Sequence, residues 1–211
     1  MKRRLYLVGA GGLGREMEFW INLISQDERD YEICGFIDDN PCALLNNPSD
    51  FTVVGDTFHF DYSDGDLAAL CITNSVLKEE VYNRLKNKVE IFTFISPLAR
   101  VSKFSKIGKG AIITPNCLIT TNVTIGECVL INIGSQVGHD CTIGDFSSVM
   151  TNVDIGGCCK IGSHVFFGSN STLIPEKKIN NNISIGAGSI VINNLSKPGT
   201  YFGNPAKQIT F

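Results

Sequence analysis

At 211 residues, the chain has room for one large domain or two modest ones, each with a core of its own. A formal charge of -3 and a sequence pI near 5.6 leave no basic footprint for a phosphate backbone or an anionic membrane surface, so neither nucleic acid nor membrane is an expected partner. Eight cysteines without a CxxC pair are sparse for a chain of this size and fit a reducing, cytoplasmic setting better than a disulfide scaffold.

Lys2, Arg3 and Arg4 precede an apolar run that stops within a few residues at a cluster of glycines, which makes it a first strand rather than a signal sequence. No stretch approaches the roughly 20 apolar residues needed to span a bilayer. The strand pattern of residues 4–8 runs into Gly9, Ala10, Gly11, Gly12, Leu13 and Gly14, and residues 16–24 have helical character. A strand, a glycine turn and a helix leave backbone N–H groups free to hold phosphate. A second strand, Tyr31–Ile37, ends at Asp38 and Asp39, close to where a ribose-binding acid sits in a nucleotide fold. Residues 67–72 read as a further strand, ending at Thr73, Asn74 and Ser75 before helix-like residues 78–88. The order predicts a small, parallel, Rossmann-like α/β domain over residues 1–92.

Residues 93–211 follow another rule. In steps of six, Val101, Ile107, Ile113, Ile119, Ile125, Ile131, Val137, Ile143, Val149, Ile155, Ile161, Phe167, Leu173, Ile179, Ile185 and Val191 are all apolar. With apolar residues at 43% of the chain, such a run arises by chance about once in several hundred thousand trials for a given frame. Four places after most of these stands a small residue, a column that includes Cys117, Cys141 and Cys159 as interior filler. In steps of eighteen, Gly108, Gly126, Gly144 and Gly162 share one register and lead to Asn180, residues that tolerate positive φ or tight corners. Three six-residue faces then make one coil of a triangular prism. Residues 173–178 break the small-residue column, and a local distortion is expected there.

Of three histidines, His139 lies two places after inward Val137 and should face outward, where an imidazole is poor core filler. Imidazole titrates near pH 6.5 and suits proton removal from an attacking amine or hydroxyl. Asp140 or another nearby carboxylate would orient it, and Gly157, one coil further on, would leave a channel beside it. His164 is also outward and reads as solvated, and His59 among aromatic residues reads as structural. Two outward histidines do not make a three-imidazole zinc site, so no metal is expected. Outward Phe146, Met150 and Phe166 need cover, which points to self-association.

The hexads Ile107-Gly108-Lys-Gly-Ala-Ile, Ile125-Gly126-Glu-Cys-Val-Leu and Ile161-Gly162-Ser-His-Val-Phe resemble those of the hexapeptide-repeat acyltransferases, from about residue 95 to the end. The resemblance implies a left-handed parallel β-helix, acetyl-CoA as co-substrate and a homotrimer whose cofactor lies between neighbouring prisms. It implies His139 as general base, with Asn132, Ser148, Gly157, Ser169 and Ala187 near the groove and Lys207, in Gly203-Asn204-Pro205-Ala206-Lys207, beside the CoA nucleotide. With the glycine-loop domain in front, the whole resembles the bacterial UDP-4-amino-sugar N-acetyltransferases of surface-glycan pathways and the sialic acid O-acetyltransferases. That implies a UDP-sugar at Gly9, Gly11, Gly12, Gly14, Asp38, Asp39 and Asn74. The chain departs from the family at Leu13, Ser96 and Ser148, where many members carry histidines. N-acetylation, sugar O-acetylation and a non-catalytic nucleotide-binding scaffold are the readings left open.

Overall fold

The computed structural model describes residues 2–210 and divides into two units, Met1–Phe92 and Thr93–Phe211. In the first, β1 (Arg3–Val8), α1 (Gly12–Asn22), β2 (Tyr31–Ile37), β3 (Val53–Gly55), β4 (Leu67–Leu70), α2 (Ser75–Leu85) and β5 (Glu90–Ile91) build one sheet in the order β3-β2-β1-β4-β5. All its pairings are parallel. β4 and the last four residues of central β1 are continuous apolar runs because a parallel sheet is covered on both faces, and Leu5, Leu7, Ala68 and Ala69 are fully buried. α1 buries Leu13, Met17, Trp20 and Ile21 along one helical stripe.

α1 begins at Gly12, inside the glycine loop and ahead of the apolar pattern that suggests residue 16. Glycine is required at position 14, where a Cβ would lie 2.0 Å from the carbonyl oxygen of Gly9. α2 likewise starts earlier than its composition suggests, because Asn74 caps it, accepting from the backbone N–H of Leu77 at 3.0 Å. Such a cap contributes about 1 kcal/mol.

The second unit is a parallel β-helix of mostly two-residue strands in three sheets. One sheet runs through Phe94–Ile95, Ile112–Ile113, Leu130–Ile131, Ser148–Val149, Phe166–Phe167, Ile183–Ile185 and Gly199–Phe202, then closes with antiparallel Lys207–Ile209. Each strand pairs with the one eighteen residues on through most of the helix, as in Gln136 with Asp154 and Val137 with Ile155. The six-step column is buried from Ile113 to Val191, while Val101 and Ile107 are half-buried at the first turn. Each such side chain contributes about 1.5–3 kcal/mol on burial.

The small residues of the second column also satisfy backbone. Ser135 Oγ donates to Met150 O at 2.6 Å and accepts from Val153 N at 3.1 Å, and Ser147 and Cys141 make equivalent pairs with the following coil. Buried polar groups so paired cost little to keep inside.

Three expectations change. The corners with positive φ are not the glycines at 108, 126, 144 and 162 but the residues two places later in each hexad, such as Asn116, Asn122, Cys128, Asp140, Cys158 and His164. Those glycines instead permit close approach between coils: a Cβ on Gly108 would lie 2.4 Å from Gly126 C. Residues 173–178 keep the regular ladder, with Glu176 N donating to Gly157 O and Lys160 N to Lys177 O, both at 2.9 Å. Half-buried Lys177 takes the small-residue place without displacing backbone. Phe146 is buried, its ring stacked on His164 at 5.5 Å, while Met150 is half-buried and Phe166 exposed.

Candidate active site

His139 and Asp140 occupy one corner of the β-helix. Asp140 takes the left-handed position (φ 60), and its backbone N–H donates to Thr121 O one coil earlier at 3.1 Å. This turn brings its carboxylate back onto the preceding side chain: His139 Nδ1 lies 2.7 Å from Asp140 Oδ2. The other oxygen, Oδ1, accepts from Asn122 Nδ2 at 2.6 Å. Hydrogen bonds from Asn122 first, and then from His139, hold the Asp140 carboxyl below the usual carboxylate range. An ionised partner fixes the proton of the neutral ring on Nδ1 and leaves the Nε2 lone pair free to accept one.

Nε2 points across the next coil. A Cβ on Gly157 would lie 2.7 Å from it and 2.9 Å from Cε1, so the room left by the missing side chain is taken by the imidazole itself, not by an open channel. The His139 side chain remains 60% exposed. The clefts lined by residues such as Lys160, Lys178 and Asn182, or Leu98, Arg100 and Gln136, do not include it. Asn122 escapes a reading that looks only at neighbours in sequence. The signal was its position eighteen residues before Asp140, one coil away in the same corner column.

The other expected residues fall in separate places. Ser169 and Ala187 stack on a different corner, eighteen residues apart, with Gly188 N donating to Ser169 O at 2.9 Å. Asn132 is buried, its Oδ1 accepting from Ile133 N at 2.8 Å, and Ser148 is buried. Lys207 is exposed on the last strand. His164 is half-buried against Phe146 rather than solvated, and His59 is exposed with Nδ1 3.0 Å from Asp56 Oδ1.

In the first unit, Gly11 and Gly12 are exposed at the start of α1 with nothing within 4 Å of where a Cβ would stand, and no side chain caps the helix there. Gly9 adopts φ 101 and donates to Ile37 O at 2.8 Å. Asp38 braces this loop, its Oδ2 accepting from Ala10 N at 2.7 Å and its Oδ1 from Asn40 N at 2.8 Å. Asp39 accepts from both the N–H and the hydroxyl of buried Thr57 at 2.8 Å, and Arg84 lies 3.5 Å from it with its guanidinium over the Phe58 ring. Thr57 and Arg84 carry no motif in sequence; only the fold brings them to Asp39.

Comparison with known proteins follows this division. Residues 4–85 match the PglD N-terminal domain. Over 78 residues the chain is 40% identical to GDP-perosamine N-acetyltransferase of Escherichia coli O157:H7, a match that spans 36% of this chain and about a third (35%) of that protein's length. Solved structures similar in fold cover nearly the whole chain. The acetyltransferase domain of PglB from Neisseria gonorrhoeae FA1090 gives a TM-score of 0.88 at 22% identity, over 99% of this chain and 100% of that one. A variant of perosamine N-acetyltransferase from Caulobacter crescentus, in complex with CoA and GDP-perosamine, gives 0.86 at 21% identity, over 98% and 97%. These likenesses show the fold, a parallel-sheet α/β unit followed by a parallel β-helix.

Proposed function

We propose that the chain transfers an acetyl group from acetyl-CoA to the amine of a nucleotide-linked sugar, with His139 as general base. One observation carries this reading: the imidazole is tied through Nδ1 to an ionised carboxylate while Nε2 stands free at an exposed corner. Nε2 removes the proton as the amine attacks the thioester carbonyl, and Asp140 stabilises the resulting imidazolium. The tetrahedral intermediate collapses with loss of the CoA thiolate, so no acyl-enzyme is needed.

The exposed, uncapped start of α1 at Gly11 and Gly12, on the positive end of the helix, suits the diphosphate of a sugar nucleotide. Ser169, Ala187 and Gly188 present little side chain on their corner, which suits a thin pantetheine arm. Because that corner and His139 belong to different edges of one prism, a homotrimer that sets one copy's His139 beside another copy's small-residue corner would complete the site. Exposed Phe166 would be covered in it.

Support for an amino sugar comes from the perosamine N-acetyltransferases, one similar in sequence and one in fold. Leu13 and Ser96, where the resembled family often has histidine, have structural places here: both are buried, and Ser96 Oγ accepts from Leu98 N at 3.2 Å. A panel of GDP-, UDP- and dTDP-linked amino sugars and free sialic acids, each with acetyl-CoA, tests the reading. Acetylated amine on a nucleotide sugar is expected, and ester formation on sialic acid alone would select the O-acetyltransferase reading. His139→Ala matching wild type would leave only a binding scaffold. Sedimentation should give three chains per particle, and a monomer at assay concentration would remove the shared site.

A further inference from the structure

We propose that His139, Asp140 and Cys158 form a binding site for a borderline-soft divalent cation such as Zn2+ or Cd2+, and that its occupation switches off proton transfer at His139. Cys158 lies eighteen residues after Asp140 and holds the same left-handed position of the same corner (φ 61 against 60). Its backbone N–H donates to His139 O at 2.7 Å, which fixes the two coils in register at this point. Its Sγ lies 4.0 Å from His139 Nδ1, and the three ligand atoms of His139, Asp140 and Cys158 lie within 4.8 Å of one another. All three residues are exposed, so a cation reaches them from solvent without opening the fold.

The donor set is imidazole nitrogen, carboxylate oxygen and thiolate sulfur. That combination selects zinc-like ions over Mg2+ or Ca2+, which prefer oxygen alone. Bonds of about 2.0–2.3 Å in a tetrahedron place donor atoms about 3.3–3.6 Å apart. Sγ therefore needs to approach Nδ1 by a few tenths of an ångström and the Asp140 carboxylate from within 4.8 Å, and the His139–Asp140 pair to part by somewhat less than 1 Å, movements within reach of exposed side chains. A fourth position stays open to water.

Binding rearranges protons in a defined way. The Cys158 thiol releases its proton to solvent, and the cation takes the Nδ1 lone pair of the neutral ring in place of the Nδ1 proton. The ring's one proton then resides on Nε2, which becomes a donor and can no longer accept a proton from the attacking amine. The same ion removes Asp140 from the ring. The cation is thus an inhibitor, not a cofactor. This inhibitory half rests on the proposed role of His139 as base, whereas the binding half does not.

The two halves are tested separately. Chelator-treated full-length chain titrated with Co2+ should develop a thiolate-to-cobalt charge-transfer band that saturates at one ion per chain, is displaced by Zn2+ and is absent in Cys158→Ser. Cys158→Asn, a residue carried at this corner two coils earlier as Asn122 at φ 57, should lose the band too and guards against a misfolded variant. In assays that quantify acetylated product directly, Zn2+ should slow the wild type by about ten-fold or more, leave both variants unaffected, and be mimicked by Cd2+ but not Mg2+. No band in the wild type, or equal Zn2+ inhibition in the variants, overturns the proposal. A Cys158-dependent band with unimpaired turnover upholds the cation site and removes His139 as base.

Discussion

Two imidazoles stand at corners of the same β-helix, one residue apart in the hexad rhythm, and their fates differ. His164 takes the left-handed corner position (φ 58), and its ring folds over Phe146, which holds that position one coil earlier. His139 comes one residue before the left-handed position, so its ring extends over Gly157 instead, with an acid behind it and solvent in front. At His164 the imidazole becomes packing; at His139 it is held by one nitrogen and idle at the other. The single-residue offset and the size of the neighbour on the adjoining coil decide which.

The contrast is sharpest in activity. His139→Ala should lower kcat by about 10²–10⁴-fold, whereas His164→Ala should keep kcat within about two-fold of wild type. Steady-state kinetics on both variants check it, and equal losses would break the comparison. Gly157→Val comes next: a branched side chain where a Cβ already meets Nε2 at 2.7 Å must displace the ring. A loss of about 10²-fold is expected from misplacing a reacting group by about an ångström, with thermal unfolding near wild type.

Asp140→Asn should cost about ten-fold or more in kcat, because a neutral amide neither fixes the Nδ1 proton nor stabilises imidazolium. Since Asp140 titrates below the ordinary carboxylate range, its hydrogen-bonded anion persists at higher pH and is lost only as pH falls through that lowered value. The carboxylate is therefore ionised wherever imidazole titrates. The smallest effect on rate belongs to Phe146→Ala, which removes the ring stacked on His164. It should cost about 2–3 kcal/mol of stability in denaturant melts and leave kcat unchanged.

Much of this was legible in the chain. The aliphatic beat specifies which side chains turn inward, since a residue's facing depends only on its phase in a two-residue strand and three-sided coil. Likewise β2 and the end of β1 lie where their apolar runs place them, and His139 with Asp140 announces itself by polarity at an outward phase. What spacing does not encode is backbone torsion and side-chain direction. Glycines at 108, 126, 144 and 162 advertise left-handed corners yet serve close contact, while Asp140, Cys158 and His164 carry the positive φ. Phe146 has an outward phase but finds a stacking partner, and Lys177 stands half-buried at a place in the small-residue column. Asn122 and Cys158 join the site only because eighteen residues close one coil. The starts of α1 and α2 were missed because glycine and a capping asparagine, not apolar period, begin them.

The eighteen-residue register has a bearing on how such genes can change length. Losing or gaining a whole coil away from the His139 corner keeps every column aligned and alters only the height of the stack. Losing a single hexad between residues 139 and 157 would still bury every aliphatic, so the protein would fold and escape quality control, yet each later corner would rotate onto the next face. His139 would then meet a residue from a foreign corner in place of Gly157. In this architecture, a deletion that keeps every aliphatic column buried still changes which residue faces His139.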